Sequence, residues 1–404
     1  MKKNLTYLLA LTLAAATTAC QSDDTDFSAY TNGNKGGTGE TTEETIVPMD
    51  IAIDESDLDE PAETFSADDN DYVENSTFSH QVNIHFDGTE ATVTGDVENL
   101  TVNKSGAHVT ITSTQKDMAY TLSGATNDGS LKVYSENKYK LELNGVKIAN
   151  PTGAAINNQG NKTLYVVLAE GTENTLTDGT TYTSVGNEDQ RGTLFSEGQM
   201  VFSGKGKLIV LAHCKNGIAS DDYIRFRPGC KVYVNSTVNN GVKAKDGLIV
   251  GGGVLNIEVR GNGAKGLNCD KHVEILGGRT TIITTGNAIV EDADTTSCAG
   301  IKCDSTFTMR AGTVSIKSSG DGGKGVNANM NLYFTGGKLN VVTLGTKGLS
   351  SPKGIKSDMD ISISGGGIYS YSANSNPLDA KGSLTVAPGY ATYSNKERLV
   401  EIAY

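Results

Sequence analysis

From residue 217 onward, apolar and polar positions recur in one fixed pattern. Six anchor glycines, Gly217, Gly241, Gly266, Gly300, Gly325 and Gly354, stand 24, 25, 34, 25 and 29 residues apart. Each is followed by an aliphatic residue at +1, a small residue at +3, apolar residues at +7 and +9, and another glycine at +12. In three copies two further apolar residues stand at +14 and +16, Leu255 and Ile257, Val314 and Ile316, and Leu339 and Val341. Apolar residues alternating with polar ones at period two are the mark of half-buried strands, and here they come three to a repeat. Three short strands closing a turn of about 24 residues predict one coil of a parallel β-helix, each strand stacked about 4.8 Å above its equivalent in the coil below.

The +3 positions, Ser220, Ala244, Cys269, Cys303, Ala328 and Ser357, are small because three walls converge there. The register continues upstream through Thr193, Leu194, Ser196, Met200 and Phe202, and more weakly toward residue 80. An all-β parallel β-helix of roughly a dozen coils is therefore expected over 76–404. Its open ends need caps, for which residues 76–90 and 391–404 are the candidates.

The amino terminus reads differently. Lys2 and Lys3 precede an apolar run, Leu8 to Ala16, too short to span a bilayer stably, and Thr17-Thr18-Ala19-Cys20 follows. Residues 1–19 are thus expected to be a secretory signal. The segment resembles a bacterial lipoprotein signal, which implies acylation of Cys20 and a membrane anchor; Thr17 departs from that pattern, and plain secretion with cleavage after Ala19 is the alternative. Gln21-Ser22-Asp23-Asp24 resembles the acidic export signal of outer-membrane lipoproteins of the Bacteroidetes type, which implies the cell surface.

Charge is distributed unevenly. The whole chain of 404 residues carries −13, but residues 21–75 hold 17 acidic residues and one lysine, a net −16. With +2 from Lys2 and Lys3, residues 76–404 are left at +1. The acidic stretch shows no sustained period and is expected to be a disordered, self-repelling tether over 20–75. A nearly neutral rod presents no field for nucleic acid, yet raises no electrostatic objection to an acidic sugar polymer.

With the repeat in place, a resemblance becomes specific. Leu168 to Gly179 (LAEGTENTLTDG), Gly192 to Ser196 (GTLFS) and Asn216 to Asp222 (NGIASDD) resemble the bacterial carbohydrate-binding β-helix family, non-catalytic relatives of the pectate-lyase fold. The resemblance covers about residues 80–390 and implies a right-handed parallel β-helix, polysaccharide binding and Ca²⁺. Members tend to carry Asp just before the anchor glycine, where this chain has Asn216, Asn240, Lys265, Ala299, Lys324 and Lys353.

Outward positions +2 and +4 of strand one carry the candidate chemistry. Asp221, Asp222, Asp270, Asp304, Asn329 and Asp358 form a ladder whose oxygens, from adjacent coils, would suit a hard cation such as Ca²⁺. The same ladder reads equally as a solvated face of alternating charge, because lysines share it. Lys243, Lys302 and Lys356 are candidates for contacting uronate groups, and Tyr333, Tyr369 and Tyr371 for stacking on sugar rings in a chain without Trp.

Catalysis is not expected. Lyase chemistry would need calcium-binding carboxylates beside an arginine, and Arg225-Phe226-Arg227 is the only local hint. The five histidines show no metal-ligand spacing. Cys269 and Cys303 share one slot in successive coils and suit either a disulfide or two stacked thiols. The expectation is a surface-anchored, non-catalytic polysaccharide-binding rod, with an adhesive rod lacking a glycan ligand, or a lyase, as alternatives.

Overall fold

The computed structural model describes residues 46–54, 56, 61–395 and 397–404; Cys20 and the signal expected over 1–19 lie outside the described residues. The repeat closes into a parallel β-helix. Strand one of each coil stacks in a twelve-stranded sheet. It starts with the antiparallel hairpin Leu100–Ser105 and Ala107–Ser113, then runs parallel to Leu378–Ala380. Strands two and three of successive coils form the larger sheet, again in parallel register, for example Val273 beside Phe307 and Ile282 beside Ile316. The inward residues of both sheets make one core running along the axis.

Both repeat glycines have physical causes, and they differ. The +12 residues, Gly229, Gly253, Gly278, Gly312, Gly337 and Gly366, all have φ between +75° and +93°, a left-handed turn that a Cβ disfavours. The anchors instead lie within or beside strand one, as Gly266 does in Lys265–Cys269. A Cβ on an anchor would strike the inward residue of strand three: 2.4 Å from Ile257 at Gly241, and 2.3 Å from Ile282 at Gly266.

The irregular spacings are insertions. The 34-residue interval between Gly266 and Gly300 holds a small antiparallel ribbon, Ile289–Glu291 with Asp294–Thr296. At the carboxyl end the tail forms a hairpin, Ala391–Asn395 with Leu399–Ala403, that pairs antiparallel with Ile361–Ser372. This covers an edge that would otherwise be open to another chain. Cys269 and Cys303 sit opposite one another as free, buried thiols, their pKa values pushed up by burial to about 11 and about 12. They fill volume in the way Ala244 and Ala328 do in neighbouring coils.

The tether expected over 20–75 is not free along its described part. Residues 46–54 and 61–79 lie along the outside of the rod and run from the carboxyl-terminal coils back to the first strand, His80–Asp87. Ile51 is buried beside Val342, Tyr371 and Leu399, and Tyr72 is 1% exposed. The Glu63 amide donates to Gly251 O, and the Gly278 amide donates to Pro61 O, both at 2.7 Å. Composition alone reads this segment as solvated because the cations that neutralise it stand more than 150 residues away.

Candidate functional site

The outer face of the twelve-stranded sheet gathers most of the residues singled out by sequence. Register places Ala219, Lys243, Asn268, Lys302, Asn327, Lys356 and Asp379 in one column, one side chain per coil. Two residues on stand Asp270, Asp304, Asn329 and Asp358. Lys302 Nζ donates to Asp304 Oδ1 at 2.5 Å and to Asn329 Oδ1 at 2.6 Å, while Asn329 Nδ2 donates to Asp304 Oδ1 at 2.9 Å. Lys356 and Lys381 both reach Asp358, at 2.6 and 2.9 Å, and Lys243 pairs with Asp270. Burial works against the Asp358 carboxylate, but the two lysines outweigh it and hold its pKa below the ordinary range.

This geometry decides between the two readings of the ladder. Asp270, Asp304 and Asp358 are each bonded to an ammonium group, so their oxygens do not converge on a space for a hard cation. Asp222 instead caps its own turn: its Oδ1 accepts from the Tyr223 amide, and its carbonyl accepts from Lys245 and Asp246. The column before the anchors is also unsuited to calcium. Asn240 Nδ2 donates to Asn216 Oδ1 at 2.9 Å, Lys324 is buried among Ser297 and Ser350, and Lys353 pairs with Asp379.

Of the ladder residues, Asp221 is the one that joins other acids among the described residues. Its carboxylate and those of Asp189 and Glu197 lie with ligand atoms within 4.8 Å of one another. Arg191 already bridges two of them, at 2.6 Å to Asp189 and 3.2 Å to Asp221. Burial, and then the mutual repulsion of the acids, raises the pKa of Glu197; burial raises that of Asp221, against the pull of Arg191. Lysine and arginine thus take the places in which a bound cation would be useful, and the residues present do not suit Ca²⁺.

The aromatic expectation changes too. Tyr369 and Tyr371 share one face, but Ile46, Ile51 and Leu399 pack over them, Tyr371 is only 7% exposed, and the Tyr369 hydroxyl accepts from the Met49 amide at 3.1 Å. They stack on the protein's own chain. Tyr333 stays 40% exposed, with Asn331 Nδ2 donating to its hydroxyl.

Sequence reasoning did not find a cavity of about 140 Å³ at the amino-terminal end of the face. His108, Ser130, Lys132, Asn157, Thr183 and Gln190 are among its lining. Asn157 is 2% exposed, its Oδ1 accepts from Gln159, and its Nδ2 has no partner among the described residues. Lys132 and Tyr134 both bind Glu188, which comes from the loop over the cavity. The only sequence signal was Asn157 and Lys132 falling in the strand-one column.

The LAEGTENTLTDG segment acts as a stitch between coils. Asn174 Oδ1 accepts from the Val146 amide one coil below, and its Nδ2 donates to Lys207 O one coil above. Asp178 Oδ1 accepts from the His213 amide at 2.6 Å, and its Oδ2 accepts from the Tyr182 hydroxyl.

Comparison with known proteins agrees with the architecture. A carbohydrate-binding domain-containing protein of Acetivibrio thermocellus is 29% identical over 138 residues, 33% of this chain and 46% of that protein. The match therefore spans about half of that relative's length. Among solved structures, the polysaccharide lyase-like protein from C. thermocellum, as its gadolinium derivative, matches with a TM-score of 0.50 and 26% identity over 64% of this chain and 96% of that one. The profile of the carbohydrate-binding domain-containing proteins matches residues 105–289 and 266–397, most of the chain, and the protein belongs to that family.

Proposed function

We propose that the outer face of the twelve-stranded sheet binds polysaccharide without transforming it. The observation that carries this reading is the column Lys243, Asn268, Lys302, Asn327, Lys356 and Asp379, which repeats one hydrogen-bonding side chain per coil in unbroken register. Its step of about 4.8 Å is close to the repeat of an extended sugar chain. The lysines are largely covered, at 16% exposure for Lys302 and 17% for Lys356, whereas Asp270 and Asp304 are about half exposed. The face therefore offers mostly acceptors, which suit sugar hydroxyls better than uronate groups. Asn157 Nδ2 supplies an unused donor for a chain end in the cavity.

Non-catalytic binding is supported by the state of the arginines. Arg225 and Arg227 are both saturated by carboxylates of the amino-terminal segment, and Arg310 pairs with Glu274 at 2.9 Å. In this reading binding needs no calcium, and acylation of Cys20 holds the rod at the outer surface of the outer membrane. Pull-down on cellulose, pectin and host glycans, with and without EDTA, tests the binding. Absorbance near 232 nm with polygalacturonate tests for lyase activity. Retention on at least one polysaccharide, unaffected by EDTA and without that absorbance, is the expected result; retention on none would favour an adhesive rod.

A further inference from the structure

The same amino-terminal segment covers a line of cations at the corner between strands two and three. Arg225 and Arg227 face outward from their coil, yet are only 13% and 8% exposed. Arg225 donates from Nη2 to Glu63 Oε2 at 2.7 Å and from Nη1 to Asp69 and Asp71 at 2.9 Å. Arg227 reaches Glu74 at 3.0 Å and stacks on the Tyr72 ring, 3.3 Å from its centroid. Two coils on, Arg279 pairs with Asp54 at 2.9 Å, and in the next coil Lys317 pairs with Asp50 at 3.4 Å. A stretch rich in carboxylates already lies along this track and is part of the chain, its turns between Ser66 and Ser76 setting Asp69, Asp71 and Glu74 against the arginines.

Two features distinguish this contact from ordinary surface pairing. Four carboxylates, Glu63, Asp69, Asp71 and Glu74, meet two arginines, twice the charge that neutrality requires. The rod also leaves a seat for the segment. A Cβ on Gly251 would lie 2.2 Å from the Glu63 carboxyl carbon, and one on Gly277 would lie 2.3 Å from Pro61 O. We infer that the track Arg225, Arg227, Arg279 and Lys317 is a second binding site, for an acidic polysaccharide of uronate type, and that residues 50–54 and 61–74 occupy it in the free protein as an internal competitor.

This rests on the polysaccharide-binding reading and adds a second face with a different ligand class. An occupied site binds its ligand more weakly in proportion to the fraction of molecules in which it is open. The outer carboxylates, Asp69 and Glu74, are 27% and 58% exposed, and their pairs hold that equilibrium with modest, salt-sensitive energies. Neutralising the surplus acids therefore opens the site.

The test uses the full chain and polygalacturonate as the probe. Asp69→Asn, Asp71→Asn and Glu74→Gln are combined, leaving Glu63 and its backbone anchor, and affinity is measured by retardation in polygalacturonate-containing gels. About tenfold tighter binding than the unmodified chain is expected, and adding Arg225→Gln and Arg227→Gln should abolish the gain. In the unmodified chain, saturating polygalacturonate should speed hydrogen exchange at the Glu63 amide, a readout that does not depend on any variant folding. Unchanged affinity in the acid-neutral variant, a gain that survives loss of the arginines, or an equally protected Glu63 amide would each overturn the inference. Any of these results together with retention on another glycan leaves the polysaccharide-binding reading standing; retention on no glycan by either protein removes that reading as well.

Discussion

Gly266 and Ile282 touch so closely that the fold admits no side chain at the first: a Cβ there would lie 2.3 Å from the Ile282 Cγ2 methyl. Gly300 has the same relation to Ile316. The repeat glycine is thus a packing position where strand one crosses strand three, and Ile282 is fully buried. Gly266→Ala is expected to destabilise the rod by about 1–3 kcal/mol through overpacking. Ile282→Ala removes the clashing Cγ2 methyl, so the double variant should lose less than the sum of the two single losses. Denaturant titration of the single and double variants checks it; an additive result would show that the two residues do not share one space.

Lys324 gives the rod a pH dependence of unusual sign. Burial, and then the neighbouring Lys356 and Lys353, lower its pKa to about 8. The unfolded chain has the ordinary lysine value near 10.4 and so binds more protons between those two values, which means that stability rises with pH across that window. Lys324→Met should remove this slope, worth on the order of 2–3 kcal/mol over the whole window. Unfolding free energies at pH 7.5 and 10 for both proteins decide it, and parallel profiles would count against a buried, strained ammonium group.

Much of the architecture could be read before any coordinates, because a coil repeats its constraints. The small +3 residues, the paired apolar positions and the +12 glycines each recur six times, and the structure gives each a cause. The site was less legible. Lys302 and Asp304 were visible as ladder neighbours, but only their 2.5 Å contact shows that the carboxylate is already taken. Tyr371 points outward as the period requires, and it is covered by Ile51 and Leu399, which no local pattern ties to it. Arg225 and Glu63 are 162 residues apart and belong to segments of unlike composition. Periodicity reports what a coil does to its neighbours in sequence, and says nothing of a chain laid across successive coils.

Metal dependence follows from the lysines. Since ammonium and guanidinium groups hold the ladder and the Asp189, Glu197 and Asp221 cluster, calcium or EDTA should move the melting temperature by no more than about a degree. Differential scanning calorimetry in each condition checks this. A calcium-dependent rise of several degrees would mean that a cation displaces Arg191 or one of the ladder lysines.

Thiol reactivity separates the two kinds of cysteine. Cys230, Cys269, Cys298 and Cys303 are buried, and their thiols are held in the protonated form by burial. Cys214 is partly exposed. Of these five, a thiol reagent should modify Cys214 alone at neutral pH in the native protein, and all five after unfolding. Rapid native labelling of Cys269 or Cys303 would show that the core opens locally.

The central claim is that the outer face of the twelve-stranded sheet holds a polysaccharide along its side-chain column. It is tested most directly by the affinity of the full chain for the glycan that retains it best, compared with a Lys302→Ala, Asn327→Ala and Lys356→Ala variant shown by calorimetry to be folded. Removing three consecutive rungs should weaken binding at least tenfold, since it takes away Asn327 and the lysines that hold the Asp304 and Asp358 acceptors in place, each lost polar contact to a sugar being worth about 1 kcal/mol. Undiminished affinity in the folded variant would contradict the claim and place the ligand elsewhere on the rod.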